Sequence, residues 1–201
     1  FTPNDELLSE SSVLVIKKIV NEIASFNRVE NVLSLLDVPL LENNPNTSLS
    51  DVAENVETLN SESPNLELAK RVFSSNDVYQ NLLISEDLKT TAFQVTLKRN
   101  INYENLINQR YAIYDLATPE KEQRLISINE LIEQEKNMVS IEDEKLVSSM
   151  RNLLESYQNF GEFFLGGGAM ITVDTIRFIS QDLTVFGISV LLIFTFVLSF
   201  I

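Results

Sequence analysis

The most constraining feature of the chain is an apolar run at its C-terminal end, residues 183–201, which contains no charged residue. About twenty predominantly apolar residues are needed to cross the hydrocarbon core of a bilayer. A soluble helix of similar length normally carries a polar stripe, whereas this run holds only isolated hydroxyls at Thr184, Ser189, Thr195 and Ser199. The run therefore predicts a transmembrane helix, and its position excludes a secretory signal peptide.

The chain begins at Phe1 and ends at Ile201, inside the apolar run. We therefore expect the 201 residues to be a piece of a longer protein with other natural termini. The part that precedes the run is long enough for one sizeable α+β domain or two small ones.

The residues before the apolar run predict its orientation. Between residues 163 and 182 the one basic residue is Arg177, set against Asp174 and Asp182. Cytoplasmic flanks of membrane helices are enriched in Lys and Arg. We therefore expect the soluble part to lie on the extracytoplasmic side.

Composition argues against several classes of function. The net charge is −14 and the 15 basic residues are scattered, which disfavours nucleic acid as a partner. Cysteine and histidine are absent, which removes thiolate chemistry, the commonest metal ligand and the usual general base. With no Gly-x-Ser-x-Gly elbow or phosphate loop either, we predict no enzyme, no catalytic residues, no metal and no cofactor.

Apolar residues at helical spacing predict helices along the soluble part. The first spans residues 8–26, with a start near Pro3, and others cover residues 66–73 and 103–117. Thr118-Pro119-Glu120 resembles the capped start of a further helix.

Two more apolar stripes follow, at residues 125–132 and 146–160. Ser140-Ile141-Glu142-Asp143 lies between them and is a variant of the capping box that starts a helix. We therefore predict two helices that pack antiparallel as a hairpin, with Leu131 and Phe160 on their inner faces.

Three segments suggest strands. Residues 29–36 predict a strand that Pro39 ends, and residues 82–85 and 90–97 predict a hairpin joined by a polar turn. In the last strand Phe93, Val95 and Leu97 should face the core, opposite Ala92 and Gln94. Residues 42–65 are rich in Asn, Ser, Glu and Pro and predict a long loop, with a helical turn near 49–59.

Glycine marks a change of organisation, because all five glycines lie between Gly161 and Gly187. Gly166-Gly167-Gly168 is followed by Ala-Met-Ile and not by the Lys of a phosphate loop, so it predicts a hinge. We divide the chain into a soluble domain (1–165), a glycine joint with a membrane-proximal helix (166–182) and a truncated transmembrane helix (183–201).

Several motifs resemble, in order, the first extracytoplasmic domain of resistance–nodulation–cell division (RND) exporters, closest to the MMPL and hopanoid-transporter branch. They are Phe1 to Leu8, Val32 to Leu41, Lys89 to Ala92, and the membrane approach. The membrane-approach residues are Leu165, Gly166, Gly167, Met170, Ile171, Asp174, Asp182, Phe186 and Gly187. The helical region between residues 103 and 157 carries no matching motif.

The resemblance implies an α+β fold, a ferredoxin-like βαβ porter domain with a helical-hairpin insertion, followed by a transmembrane α-helix. It implies a proton-driven exporter of hydrophobic or lipid-like compounds in the bacterial cytoplasmic (inner) membrane. The implied partners are the lipid bilayer, the substrate and the rest of the transporter chain; a homo-oligomer remains open. The proton-coupling carboxylates would lie outside this stretch. A single-span tethered sensor or scaffold ectodomain is the alternative, and the substrate is undetermined.

Overall fold

The computed structural model describes residues 1–41, 57–76, 78–80, 82–116 and 119–199, which form two compact units. The first unit comprises Phe1–Arg99 and Ser149–Phe164, and the second comprises Asn100–Ser148 and Leu165–Ile201. Residues 100–148 are therefore inserted in the sequence of the first unit. The cap predicted at Thr118 and most of the helical turn predicted near 49–59 lie outside the described residues.

The first unit begins with strand β1, Thr2–Pro3, and helix α1, Glu10–Ala24. The predicted helix is confirmed, but it begins at Glu10 and not near Pro3. The N-cap is Ser9, whose hydroxyl accepts a hydrogen bond from the Ser12 backbone NH at 3.2 Å and caps the first turn. The buried apolar residues of α1 recur every three or four positions and form one stripe: Val13, Ile16, Ile19 and Ile23.

Strand β2, Val29–Leu33, follows and is shorter than predicted. The chain leaves the strand at Ser34 and forms a 3-10 turn over Leu35–Asp37. Leu35 and Leu36 are both almost fully buried, whereas a strand would point successive side chains to opposite faces. The turn buries both, and its capping box fixes the bend, since the Asp37 carboxylate accepts from the Ser34 backbone NH at 2.9 Å.

Strand β3, Gln94–Leu97, pairs antiparallel with β2. The predicted alternation is confirmed, because Val95 and Leu97 are half-buried while Gln94 and Thr96 are exposed. The predicted pairing is wrong in part. A turn at 85–90 and a single bridge, Ile84 to Thr91, form where a hairpin was expected, but the ladder of β3 is made with β2.

Strand β4, Gly161–Glu162, pairs antiparallel with β1. Next to it, the rings of Phe1 and Phe163 stack with centroids 4.4 Å apart.

The α+β class is confirmed. Within the described residues, however, the named strands form two separate two-stranded sheets, so the ferredoxin-like sheet stays a prediction.

Helix α2, Leu66–Ser75, confirms the predicted short helix and buries Ala69, Val72 and Phe73 in the core of the first unit. Its start is capped by Asn65, whose side-chain oxygen accepts from the Leu68 backbone NH at 3.0 Å. The other members of this core all lie between residues 1 and 84: Phe1, Leu7, Leu8, Val13, Ile16, Leu35, Leu36, Val38, Leu40, Leu59, Leu83 and Ile84.

The inserted residues form a helical hairpin. Helix α3, Ile101–Tyr114, confirms the helix predicted at 103–117, and helix α4, Lys121–Ser156, follows it. The Asn100 side chain donates to Glu135 at 2.8 Å, and the Lys121 amine donates to the Tyr114 carbonyl at 2.6 Å. Because the start of α3 lies beside residue 135 and its end beside residue 121, the two helices run antiparallel.

The break predicted at Ser140–Asp143 is wrong, since α4 is one helix of 36 residues. No Gly or Pro interrupts it, and Ile132 and Leu146 lie about four helical turns apart, which places both stripes on the same face. The predicted antiparallel pair therefore does not exist. Two assigned inner positions, Leu131 and Phe160, are 47% and 50% exposed.

Helix α5, Gly168–Leu198, joins the predicted membrane-proximal and transmembrane helices into one element of 31 residues. At 1.5 Å per residue it is about 46 Å long, more than the roughly 30 Å hydrocarbon core requires.

Candidate membrane-entry site

The C-terminal part of α5 is the one helix in the described part of the chain that is long and apolar enough to cross a membrane. Its apolar window has a mean hydropathy of 2.0, and none of that window is buried inside the structure. Leu183, Leu191 and Phe194 are each about two-thirds exposed. A continuous apolar surface of this size marks an interaction with lipid or protein, and its length indicates membrane association.

The hydroxyl groups in this part of α5 are satisfied within the helix. Thr184 and Ser189 each donate to a backbone carbonyl one turn earlier, Ser180 and Val185, at 2.8 Å. Thr195 does the same toward Leu191. Polar groups in lipid must find internal partners, so these residues are compatible with a hydrocarbon surrounding.

The predicted membrane-approach residues begin in the segment that leads into α5. Leu165 is half-buried, whereas Gly166 and Gly167 are exposed, with nothing within 4 Å of a Cβ built on either glycine. Gly167 is the N-cap and has φ +114°, a conformation that favours glycine. Met170 is half-buried and Ile171 is exposed.

The remaining predicted residues lie farther along α5. Asp174 is half-buried and makes an interaction within the structure, while Asp182, Phe186 and Gly187 are exposed. The predicted residues thus follow one another along a helix and do not converge on a pocket. Because residues 3, 4, 7 or 11 apart share a helical face, Ile171, Asp182 and Phe186 lie on one side of α5.

The second unit contains an open groove, with a volume of about 640 Å³, between α4 and α5. Ser140 and Glu144 line it from α4. The α5 residues that line it are Val173, Ile176, Arg177, Ser180, Gln181, Thr184 and Val185. The groove was not predicted from the sequence, because the pattern Ser140-Ile141-Glu142-Asp143 indicates a helix start. The signal was available in the polar side chains of Arg177, Ser180, Gln181 and Thr184, which recur at helical spacing before and into the apolar run.

Arg177 and Glu144 carry opposite charges, yet within the described residues neither has an ion pair or side-chain hydrogen bond. Other charges of the second unit are paired: Arg124 with Glu120 at 3.3 Å, and Lys136 with Glu133 at 2.7 Å. The hydrogen bond to Glu133 is the main reason that the pKa of Lys136 is raised. Among the described residues, the groove therefore holds one unpaired charge of each sign among apolar side chains, beside the apolar part of the helix.

The described residues contain no group of three or more acidic side chains close enough to hold a metal ion. No family model matches the chain, and comparison with curated proteins and with solved structures found no match.

Proposed function

We propose that the chain is part of an exporter of hydrophobic or lipid-like compounds, of the RND type that its motifs resemble. The residues of the first unit would belong to an extracytoplasmic porter domain with a ferredoxin-like core, and α5 would be one of several membrane helices. The observation that carries the proposal is the uninterrupted passage of α5 from the motif around Gly166 and Ile171 into the apolar segment.

Two further features support this proposal. The helical residues 100–148 interrupt the sequence of a compact α/β unit, as expected of a porter domain that carries a helical insertion. The two ends of the first unit also lie close together, because β1 and β4 pair next to the stacked rings of Phe1 and Phe163. A domain inserted between two membrane helices needs its two ends near each other.

In the proposed mechanism this stretch binds or guides the substrate but supplies no energy. Uphill transport driven by protons requires an ionisable group held within the membrane. Residues 183–201 contain none, so the coupling carboxylates would lie on other membrane helices of the transporter chain. Substrate would pass through a cleft between α/β units, as in the resembled family.

Export is tested with the protein that the complete gene encodes. This protein is expected to contain further membrane-spanning helices, at least one of which carries an Asp or Glu. Changing that carboxylate to its amide should abolish export of a lipophilic dye while expression is unchanged, because proton coupling is lost. Asp182→Asn is the matched control and should leave export intact, since Asp182 precedes the apolar run. A natural protein with a single span would overturn the proposal and leave the tethered ectodomain.

Sidedness is tested separately, and the absence of cysteine makes this simple. Glu130→Cys places one thiol on an exposed position of α4. A membrane-impermeant maleimide is expected to label it fully in intact cells, because the flank before Leu183 is poor in basic residues. Labelling that appears only after permeabilisation would place the soluble part in the cytoplasm.

A further inference from the structure

The groove between α4 and α5 lies where α5 would enter a bilayer. Its last two residues, Thr184 and Val185, belong to the uncharged run, and Arg177 lies about 9 Å before Leu183 along the helix. The headgroup layer on each side of the hydrocarbon core is about 5–7 Å thick. An arginine side chain spans the remaining distance, so the guanidinium of Arg177 reaches the headgroup layer, while Thr184 and Val185 lie at the start of the acyl chains.

The charges of the groove define the headgroup that fits. Arg177 offers a planar set of donors that suits a phosphate, and Glu144 offers carboxylate oxygens that accept from an ammonium group. Neither charge is neutralised by another described side chain, and a ligand with both signs would pair both. An anionic headgroup would meet Glu144 without compensation, in a chain whose net charge is already −14.

We propose that the α4–α5 groove is a binding site for a phospholipid with a zwitterionic headgroup that ends in a primary amine, as in phosphatidylethanolamine. The phosphate binds Arg177 and the ammonium donates hydrogen bonds to Glu144. A quaternary ammonium such as choline has no N–H to donate and binds more weakly. Val185, which lies on the hydrocarbon side of Arg177, contacts the glycerol and the first methylenes of the chains.

The volume and chemistry of the groove agree with this assignment. About 640 Å³ lies within the range of ligand sites, roughly 300–1,000 Å³. Ser140, Ser180 and Gln181 add neutral donors around the phosphate. The site is independent of the proposed transport, because the lipid would anchor the two helices at the membrane surface and would not itself be cargo.

The test is native mass spectrometry of the full chain released from nanodiscs that contain equal amounts of phosphatidylethanolamine, phosphatidylcholine and phosphatidylglycerol. The wild-type protein is expected to retain one phosphatidylethanolamine in preference to the other two lipids. Arg177→Gln should lower this retention about tenfold, because the phosphate loses its charge-assisted hydrogen bonds to the guanidinium. Glu144→Gln should erase the preference over phosphatidylglycerol.

Matched controls distinguish lipid binding in the groove from general contact between the protein and lipid. Lys145→Gln and Glu130→Gln change exposed charges elsewhere on α4 and should leave the lipid profile unchanged. If Arg177→Gln loses helix content, Arg177→Lys tests the same charge and should retain more phosphatidylethanolamine than Arg177→Gln but less than the wild type. Equal retention of the three lipids by the wild type, an unchanged profile in both groove variants, or a dimer that excludes lipid from the groove would each overturn the site. None of these outcomes bears on export.

Discussion

Replacing Gly161 with alanine is expected to destabilise the first unit by about 3 kcal/mol, near the upper end for steric overpacking. A Cβ at this position would lie 2.3 Å from the Thr2 carbonyl oxygen and 2.6 Å from the Pro3 Cα. These are backbone atoms and cannot rotate aside, so β1 and β4 would have to separate. The third neighbour, the Phe1 ring at 2.8 Å, takes part in the stack with Phe163.

Thermal unfolding in detergent, followed by circular dichroism, measures the effect as a fall in Tm of about 10 °C. Gly166→Ala is the matched control, because nothing lies within 4 Å of its Cβ position. The control should change stability by no more than about 0.5 kcal/mol. An equal Tm for the Gly161 variant and the wild type would show that β4 does not approach β1 in this way.

Placing an arginine at the middle of the apolar segment, Leu191→Arg, is expected to lower membrane insertion of α5 about a hundredfold. Leu191 is 67% exposed and central to the uncharged run. On the insertion scale an arginine at the helix centre costs about 2.5–3.5 kcal/mol, whereas leucine is favourable by a few tenths. A difference of about 3 kcal/mol corresponds to roughly two powers of ten.

The measurement is the fraction of chain that resists alkaline extraction from membranes after synthesis in their presence. Phe164→Arg is the control, because Phe164 is 81% exposed yet lies outside the helix, and it should insert like the wild type. Extraction of the wild type, or resistance of the Leu191 variant equal to that of the wild type, would mean that the apolar surface of α5 is covered by protein and not by lipid.

Local signals were sufficient for most helices. The spacing of Ile16, Ile19 and Ile23 predicts α1. The caps at Asn65 and Asn100, which the structure shows at the starts of α2 and α3, are local signals that the prediction did not use. Helical amphipathicity and capping depend on residues close in sequence, so they can be recognised without knowledge of the fold. The alternation of apolar and polar residues in β3 is also a local signal. It correctly predicted that Val95 faces the core and that Gln94 is exposed.

The pairing of the strands could not be predicted from such local signals. β3 was assigned to a hairpin with residues 82–85, yet it pairs with β2 more than sixty residues earlier. Both alternatives satisfy the same alternation, so the pattern of side chains cannot choose between them; in the structure β2 contacts both α1 and β3. The capping-box pattern at Ser140 failed for a related reason, since a local start signal has little effect inside a helix whose buried stripe continues in phase on both sides.

The sequence alone determined the candidate membrane-spanning segment, because length and lack of charge depend on no tertiary contact. It also determined the class of the soluble part and the exclusion of thiolate and histidine chemistry. Only the tertiary structure decided the β1–β4 and β2–β3 pairings, the continuity of α4, and the groove in which Glu144 and Arg177 line the same cleft. Those features join residues far apart in the chain, and the free energy that selects them comes from burying surfaces that become neighbours only after folding.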